Sequence, residues 1–113
     1  MDNPFDHSTL DGVIHGRIRL GTVAYLATVQ SASFPELRDK VATSDGNLST
    51  HLSKLEEAGY VRIDKSFVAR KPHTRVSLTE AGRAAWLRWL NSVRALAAVG
   101  GESGPDQQKE AAE

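Results

Sequence analysis

The chain has 113 residues, 40% apolar and 25% charged, the proportions of an ordinary globular domain with a modest core. It has no cysteine, which excludes disulfides, thiolate metal sites and thiol redox sensing; 14 basic residues against 14 acidic ones leave no formal net charge. No apolar run approaches the ~20 residues of a membrane span, and MDNPFDHSTL lacks the basic and apolar regions of a signal peptide, so a cytoplasmic location is expected.

In chain order, Ser8 and Asp11 match a capping box, with Leu10, Val13 and Ile14 as a short apolar face. After Gly16, the spacing of Ile18, Thr22, Tyr25, Leu26 and Val29 predicts a helix to about Gln30. Ser31-Ala32-Ser33 can hold a very short edge strand. Pro35 then opens a helix of about two turns carrying Leu37 and Val41, since a first turn does not need its missing N–H. Ala42 and Thr43 make a tight turn, and Ser44 caps the next helix. That helix has a buried seam of Leu48, Leu52 and Leu55, and Gly59 supplies a left-handed stop.

Two alternating segments follow, one with Val61 and Ile63, the other with Val76 and Leu78. They predict antiparallel strands joined through Arg70-Lys71-Pro72-His73, with Pro72 stiffening the tip. Phe67 is expected to pack back under this hairpin. Thr79 caps a final helix, with Trp86, Trp89, Leu90, Val93, Leu96 and Ala97 on its apolar face. Residues 1–99 read as one domain, and residues 100–113 as a disordered acidic tail.

The charges are unevenly shared. The tail holds Glu102, Asp106, Glu110 and Glu113 against Lys109, a net of −3, so residues 1–99 carry +3. Arg62, Lys65, Arg70, Lys71 and Arg75 face a single acid, Asp64, across the hairpin segment. Contact with phosphate depends on this local field rather than on the total.

The run from Thr43 to Val61, TSDGNLSTHLSKLEEAGYV, sets short polar side chains beside its leucine seam, as suits a helix entering a DNA major groove. The expected fold is mainly α with a small β-hairpin (α+β), a winged helix-turn-helix. The runs Ser44 to Val61 and FVARKPHTRVSLTEAGR (Phe67 to Arg83), with His15-Gly16-Arg17-Ile18-Arg19, resemble one-domain bacterial winged-helix transcriptional regulators related to the MarR and ArsR repressors. The resemblance covers roughly residues 8–95. It implies a homodimeric DNA-binding protein whose N- and C-terminal helices make the dimer. With no cysteine and no ligand cluster, metal or thiol sensing does not carry over.

Double-stranded DNA is therefore the expected partner, through Ser44, Gly46, Asn47, Ser49, Thr50, Ser53 and Lys54 on the helix and Arg70, Lys71 and Arg75 on the wing. Gly46 permits close approach, Asn47 can pair bidentately with adenine, and Lys54 suits phosphate. A solvated polar face is the plainer alternative. His51, beside the seam, suits half-buried packing more than base reading, and Asp45 suits the positive end of the helix dipole.

Leu10, Val13, Ile14, Trp86, Trp89, Leu90, Val93 and Leu96 are the expected dimer interface, with packing of Trp86 and Trp89 on the protomer's own first helices as the alternative. The functional expectation is a repressor reading a pseudo-palindromic operator, with residues 44–58 in the major groove and residues 62–75 on the backbone or minor groove. A protein-interaction module binding an acidic partner is the rival. No catalytic residues, cofactor, metal site or membrane contact is expected. A small-molecule effector has no support in the residues.

Overall fold

The computed structural model describes residues 11–14 and 16–101. Ser8 and Leu10, and the tail after Gly101, lie outside them. Residues 12–14 form a turn, with the Val13 N–H donating to Asp11 Oδ1 at 2.9 Å. Helix α1 (Arg17–Leu26) follows, then β1 (Ala32–Ser33), α2 (Phe34–Val41), α3 (Asp45–Glu57), β2 (Val61–Val68), β3 (Lys71–Leu78) and α4 (Glu80–Gly101).

Helix α1 ends four residues before the expected Gln30. There the backbone tightens to i→i−3 bonds, Thr28 N to Tyr25 O and Val29 N to Leu26 O, and the Thr28 hydroxyl takes the same Tyr25 carbonyl at 2.7 Å. Helix α2 starts on a capping box. Ser33 Oγ accepts from Glu36 N, and the Glu36 carboxylate accepts from Ser33 N. Helix α3 stops on a Schellman pattern, Gly59 N to Glu56 O and Tyr60 N to Leu55 O, which Gly59 allows at φ +82°.

The sheet has three antiparallel strands in the order β1-β3-β2. β1 covers β3 only at Ala32–Val76 and Ser33–Arg75, whereas β2 pairs with all of β3, from Val61–Leu78 to Val68–Lys71. The hairpin therefore turns at Ala69 and Arg70, both at positive φ (52° and 68°), and not around Pro72. Pro72 sits inside β3 opposite Phe67. In a two-residue hairpin the pair next to the closing one is not hydrogen-bonded, so the missing N–H faces the open edge that β1 does not reach.

Leu48, Leu52 and Leu55 of α3 meet Val23 and Leu26 of α1, Leu37 of α2, and Val61 and Val76 of the sheet in one core, as the seam predicted. Each such fully buried side chain contributes about 2 kcal/mol of transfer free energy. Ala85 and Trp89 close the core from α4. Between Asn91 and Val99 no α4 residue is fully buried, although Val93 packs against the edge of the core. No helix among the described residues is long and apolar enough to cross a membrane.

Candidate nucleic-acid interface

Helices α2 and α3 and the turn between them form the helix-turn-helix, and α3 presents its outer face to solvent. Ser44, Gly46, Asn47, Ser49, Thr50, Ser53 and Lys54 are all exposed, whereas Leu48, Leu52 and Leu55 point inward. Ala42 ends α2 in the left-handed region (φ 59°, ψ 59°), which bends the chain sharply enough to start α3 three residues later.

Local hydrogen bonds define what each polar group can still offer. Ser44 Oγ accepts from Asn47 N at 3.2 Å, which leaves its own proton free to donate to an acceptor such as phosphate. The Thr50 hydroxyl donates to Gly46 O at 3.0 Å. Thr50 can then accept from a base amino group or offer its methyl, but has no proton for phosphate. A Cβ at Gly46 would meet nothing within 4 Å, so the protein itself does not require glycine there. Close approach by an outside partner is the remaining reason for a bare backbone.

Asp45 is held by Arg38, whose Nη1 lies 2.9 Å from Asp45 Oδ1 while Nε lies 3.1 Å from Asp39. The contact joins α2 to α3, a second duty besides the expected place at the helix N-terminus. These carboxylates raise the Arg38 pKa, the bond to Asp45 foremost. Both acids are largely exposed, so solvent screening leaves each pair little weight in stability.

An open groove of about 610 Å³ separates α3 from the wing, lined by Ser49, Ser53 and Glu56 on one side and Ile63, Lys65 and Thr74 on the other. Lys65 and Thr74 were not among the expected site residues. The strand alternation does hold the signal: Lys65 lies two residues beyond Ile63, on the same face. A second groove, at the start of α3, gathers Arg17, Ile18, Thr43, Ser44 and Asn47. It places Arg17 of α1 beside the best base-reading candidate.

The wing cations divide. Arg70 lies in the turn and Lys71 directly after it, both exposed. Arg75 lies four residues further along β3, opposite Asp64, and its Nε donates to Ser31 Oγ at 2.9 Å. It braces β3 against the segment before β1 and is not gathered with Arg70 and Lys71. Phe67 does not pack under the wing; it is 75% exposed, and Val68 57%.

The expected dimer face is also redrawn. Ile14 is fully buried and Trp89 is 9% exposed, both within the protomer's own core, so these two side chains are not available to a partner. Trp86 stacks on Trp89 with centroids 5.8 Å apart and planes 7° from parallel, and with Val13, Leu90, Val93 and Leu96 it stays half-buried. Leu87 is 53% exposed. Leu10 lies outside the described residues.

Comparison with known proteins follows the same lines. A family model described as a winged helix DNA-binding domain matches residues 18–97. The uncharacterized protein MJ0432 of Methanocaldococcus jannaschii is 31% identical over 84 residues, covering 74% of this chain and 91% of that protein. The structure of a transcriptional regulator homologue from Pyrococcus horikoshii is 28% identical with a TM-score of 0.73, over 79% of this chain and 88% of that one. Sco3205, a MarR family transcriptional regulator of Streptomyces coelicolor solved in complex with DNA, shares the fold at a TM-score of 0.63 and 24% identity, over 84% of this chain and 62% of its own.

Proposed function

The chain belongs to the winged helix DNA-binding domain family, and on that premise we propose that it is a sequence-specific transcriptional regulator that binds duplex DNA as a homodimer. Helix α3 enters the major groove, and the basic wing lies on the backbone or turns its tip to the neighbouring minor groove. The observation that carries this reading is the outer face of α3, where Gly46, Asn47, Ser49, Thr50, Ser53 and Lys54 are all exposed beside the basic hairpin. A protein-binding surface would favour aromatic or Met side chains there. The S. coelicolor regulator that shares this fold was solved in complex with DNA, which supports DNA as the partner.

Asn47 is the base reader, its amide matching adenine N6 and N7. Ser44, Lys54, Lys65, Arg70 and Lys71 supply phosphate contacts, and Ser49 and Ser53 bond base edges or phosphates. The homodimer reading rests on the outer half of α4, where Val93 and Leu96 are only half-covered by their own protomer; a helical segment this short is marginal alone in water. Two recognition helices about 34 Å apart would read a pseudo-palindrome. Bound over a promoter in the cytoplasm, such a dimer represses by occupancy.

Selection of bound duplexes from a random pool tests this reading. A two-fold symmetric consensus with half-sites one helical turn apart is the expected result. Retention of every sequence alike would point to the rival, a module for acidic protein partners.

A further inference from the structure

The end of the wing carries apolar surface that neither the core nor the recognition helix uses. The register places Val61, Ile63, Lys65 and Phe67 of β2 on one face with Leu78, Val76, Thr74 and Pro72 of β3. The pairs of this face grade outward in function. Val61 and Val76 are core, Lys65 and Thr74 line the groove beside α3, and Phe67 and Pro72 come last, exposed. Phe67 lies four residues beyond Ile63, about 13 Å along the strand.

From Lys65 to Thr79 there is no acidic residue, while Lys65, Arg70, Lys71 and Arg75 all fall in that span. The occupant of the apolar patch is therefore a polyanion with an apolar interior, and the patch continues the face that α3 turns to its groove. Stacked bases between phosphate strands have that chemistry. The minor groove, ~6 Å wide, excludes the ribbon itself but admits one inserted side chain. The tight turn at Ala69 and Arg70, both left-handed, lets the ribbon end abruptly with Arg70 at its apex.

We propose that Phe67, backed by Pro72, is an apolar wedge that enters the minor groove beside the recognition site and partly unstacks a base step, so that the duplex bends around the wing. The proposal rests on the DNA-binding reading above. It adds a source of specificity that makes no base hydrogen bond: flexible pyrimidine–purine steps deform most readily, so the wing favours them at positions α3 never touches. Arg70 holds the flanking phosphates or the groove floor while the ring is seated.

The test uses the full chain and a duplex taken from the random-pool selection, end-labelled for energy transfer and carrying 2-aminopurine at successive positions outside the α3 footprint. Wild-type protein is expected to shorten the end-to-end distance and raise 2-aminopurine fluorescence at one step per half-site. Phe67→Ala is expected to abolish both signals and weaken binding on the order of tenfold, as loss of one buried aromatic contact would. Phe67→Leu, a smaller wedge, should keep most of the bend. Because Phe67 is exposed, both variants should show unchanged circular dichroism and melting. Arg70→Ala should lower affinity and salt dependence but leave the unstacked step in place.

An unchanged bend with Phe67→Ala overturns the wedge while leaving the DNA-binding reading intact. So does a wild-type complex with straight DNA, or a change in sedimentation, which would assign Phe67 to a protein contact. Equal loss of binding to anionic phosphatidylglycerol vesicles with Phe67→Ala, and no change on DNA, would assign it to a lipid surface and overturn the proposal. Failure of the wild type to select any duplex is the separate result that defeats the reading beneath it.

Discussion

Arg19 donates from Nε to Nδ1 of His51 at 2.9 Å, and its Nη1 reaches the Val13 carbonyl at 3.3 Å. One half-buried guanidinium thus ties the turn before α1, helix α1 and the recognition helix together. His51 is a packing and anchoring residue on the flank of the leucine seam, as its position suggested. Arg19→Ala should cost about 1.5 kcal/mol, the lower figure for a hydrogen bond made by a charged group, and lower the melting temperature by about 6–12 °C. Affinity for the selected duplex should fall with no change in salt slope, because Arg19 orients α3 and touches no phosphate. A reduced slope would mean that Arg19 itself meets DNA.

Gly82 lies in the first turn of α4, where an added Cβ would stand 2.1 Å from the Tyr60 carbonyl oxygen. The same carbonyl accepts from Thr79 N at 3.0 Å; Thr79 Oγ1 donates to Gly59 O at 2.6 Å and accepts from Gly82 N at 2.9 Å. Cap, stop and helix start are thus one knot of backbone. Gly82→Ala should destabilise by about 3 kcal/mol through backbone overpacking, measured by urea denaturation. Gly46→Ala, which meets nothing within 4 Å, should leave stability unharmed and weaken DNA binding.

These two glycines show what could be read in the chain and what could not. Local grammar made α3 legible: the Ser44 cap, the Leu48-Leu52-Leu55 seam and the Gly59 stop all lie within one short window. The short β1 edge and the Thr79 cap were legible for the same reason. The hairpin turn was not. Pro72 suggests a tip, and only the two-residue reach of β1 along β3 explains why a proline is harmless inside a strand. Phe67 and Trp89 were misplaced because no local spacing says where the core ends; it stops short of Phe67 and reaches Trp89. Lys65 and Arg17 gain their place only when the strand and α1 are set beside α3, a relation no local spacing contains.

Glu36 holds the α2 capping box and accepts from the Tyr25 hydroxyl. The bond to Tyr25, then that from Ser33 N, lowers the Glu36 pKa below its ordinary 4.5, with Arg75 and Lys40 helping; the same bond raises Tyr25 above 10.0. A lowered acid stabilises the fold above its unfolded value and loses that contribution as pH falls through the folded one. A raised tyrosine does so below its unfolded value and loses it as pH climbs through the folded one. Stability should therefore sag below about pH 4.5 and above about pH 10. Glu36→Gln should flatten the acid limb in melting curves, and Tyr25→Phe the alkaline one.

The outer half of α4 predicts the assembly. Val93 and Leu96 share the half-buried stripe beyond Trp89, with Leu87 exposed nearby. Val93→Glu with Leu96→Glu should convert a dimer to a monomer in sedimentation velocity without unfolding the core, since both side chains are half-exposed in the protomer, Val93 at the core's edge. Weaker binding by about two orders of magnitude to a two-half-site duplex should accompany it, from loss of the linked second contact. Trp89→Ala is unsuitable as a probe because it opens the core.

The central claim is that the exposed face of α3 reads bases while the wing holds phosphate. It is tested most directly by titrating the selected duplex and a scrambled one with wild-type, Asn47→Ala and Lys71→Ala proteins across a salt series. Asn47→Ala should lose about 1–3 kcal/mol on the selected duplex alone, at unchanged salt slope. Lys71→Ala should weaken both duplexes alike and lower the slope by about 0.9. Equal weak binding of both duplexes, indifferent to Asn47→Ala, would contradict the account.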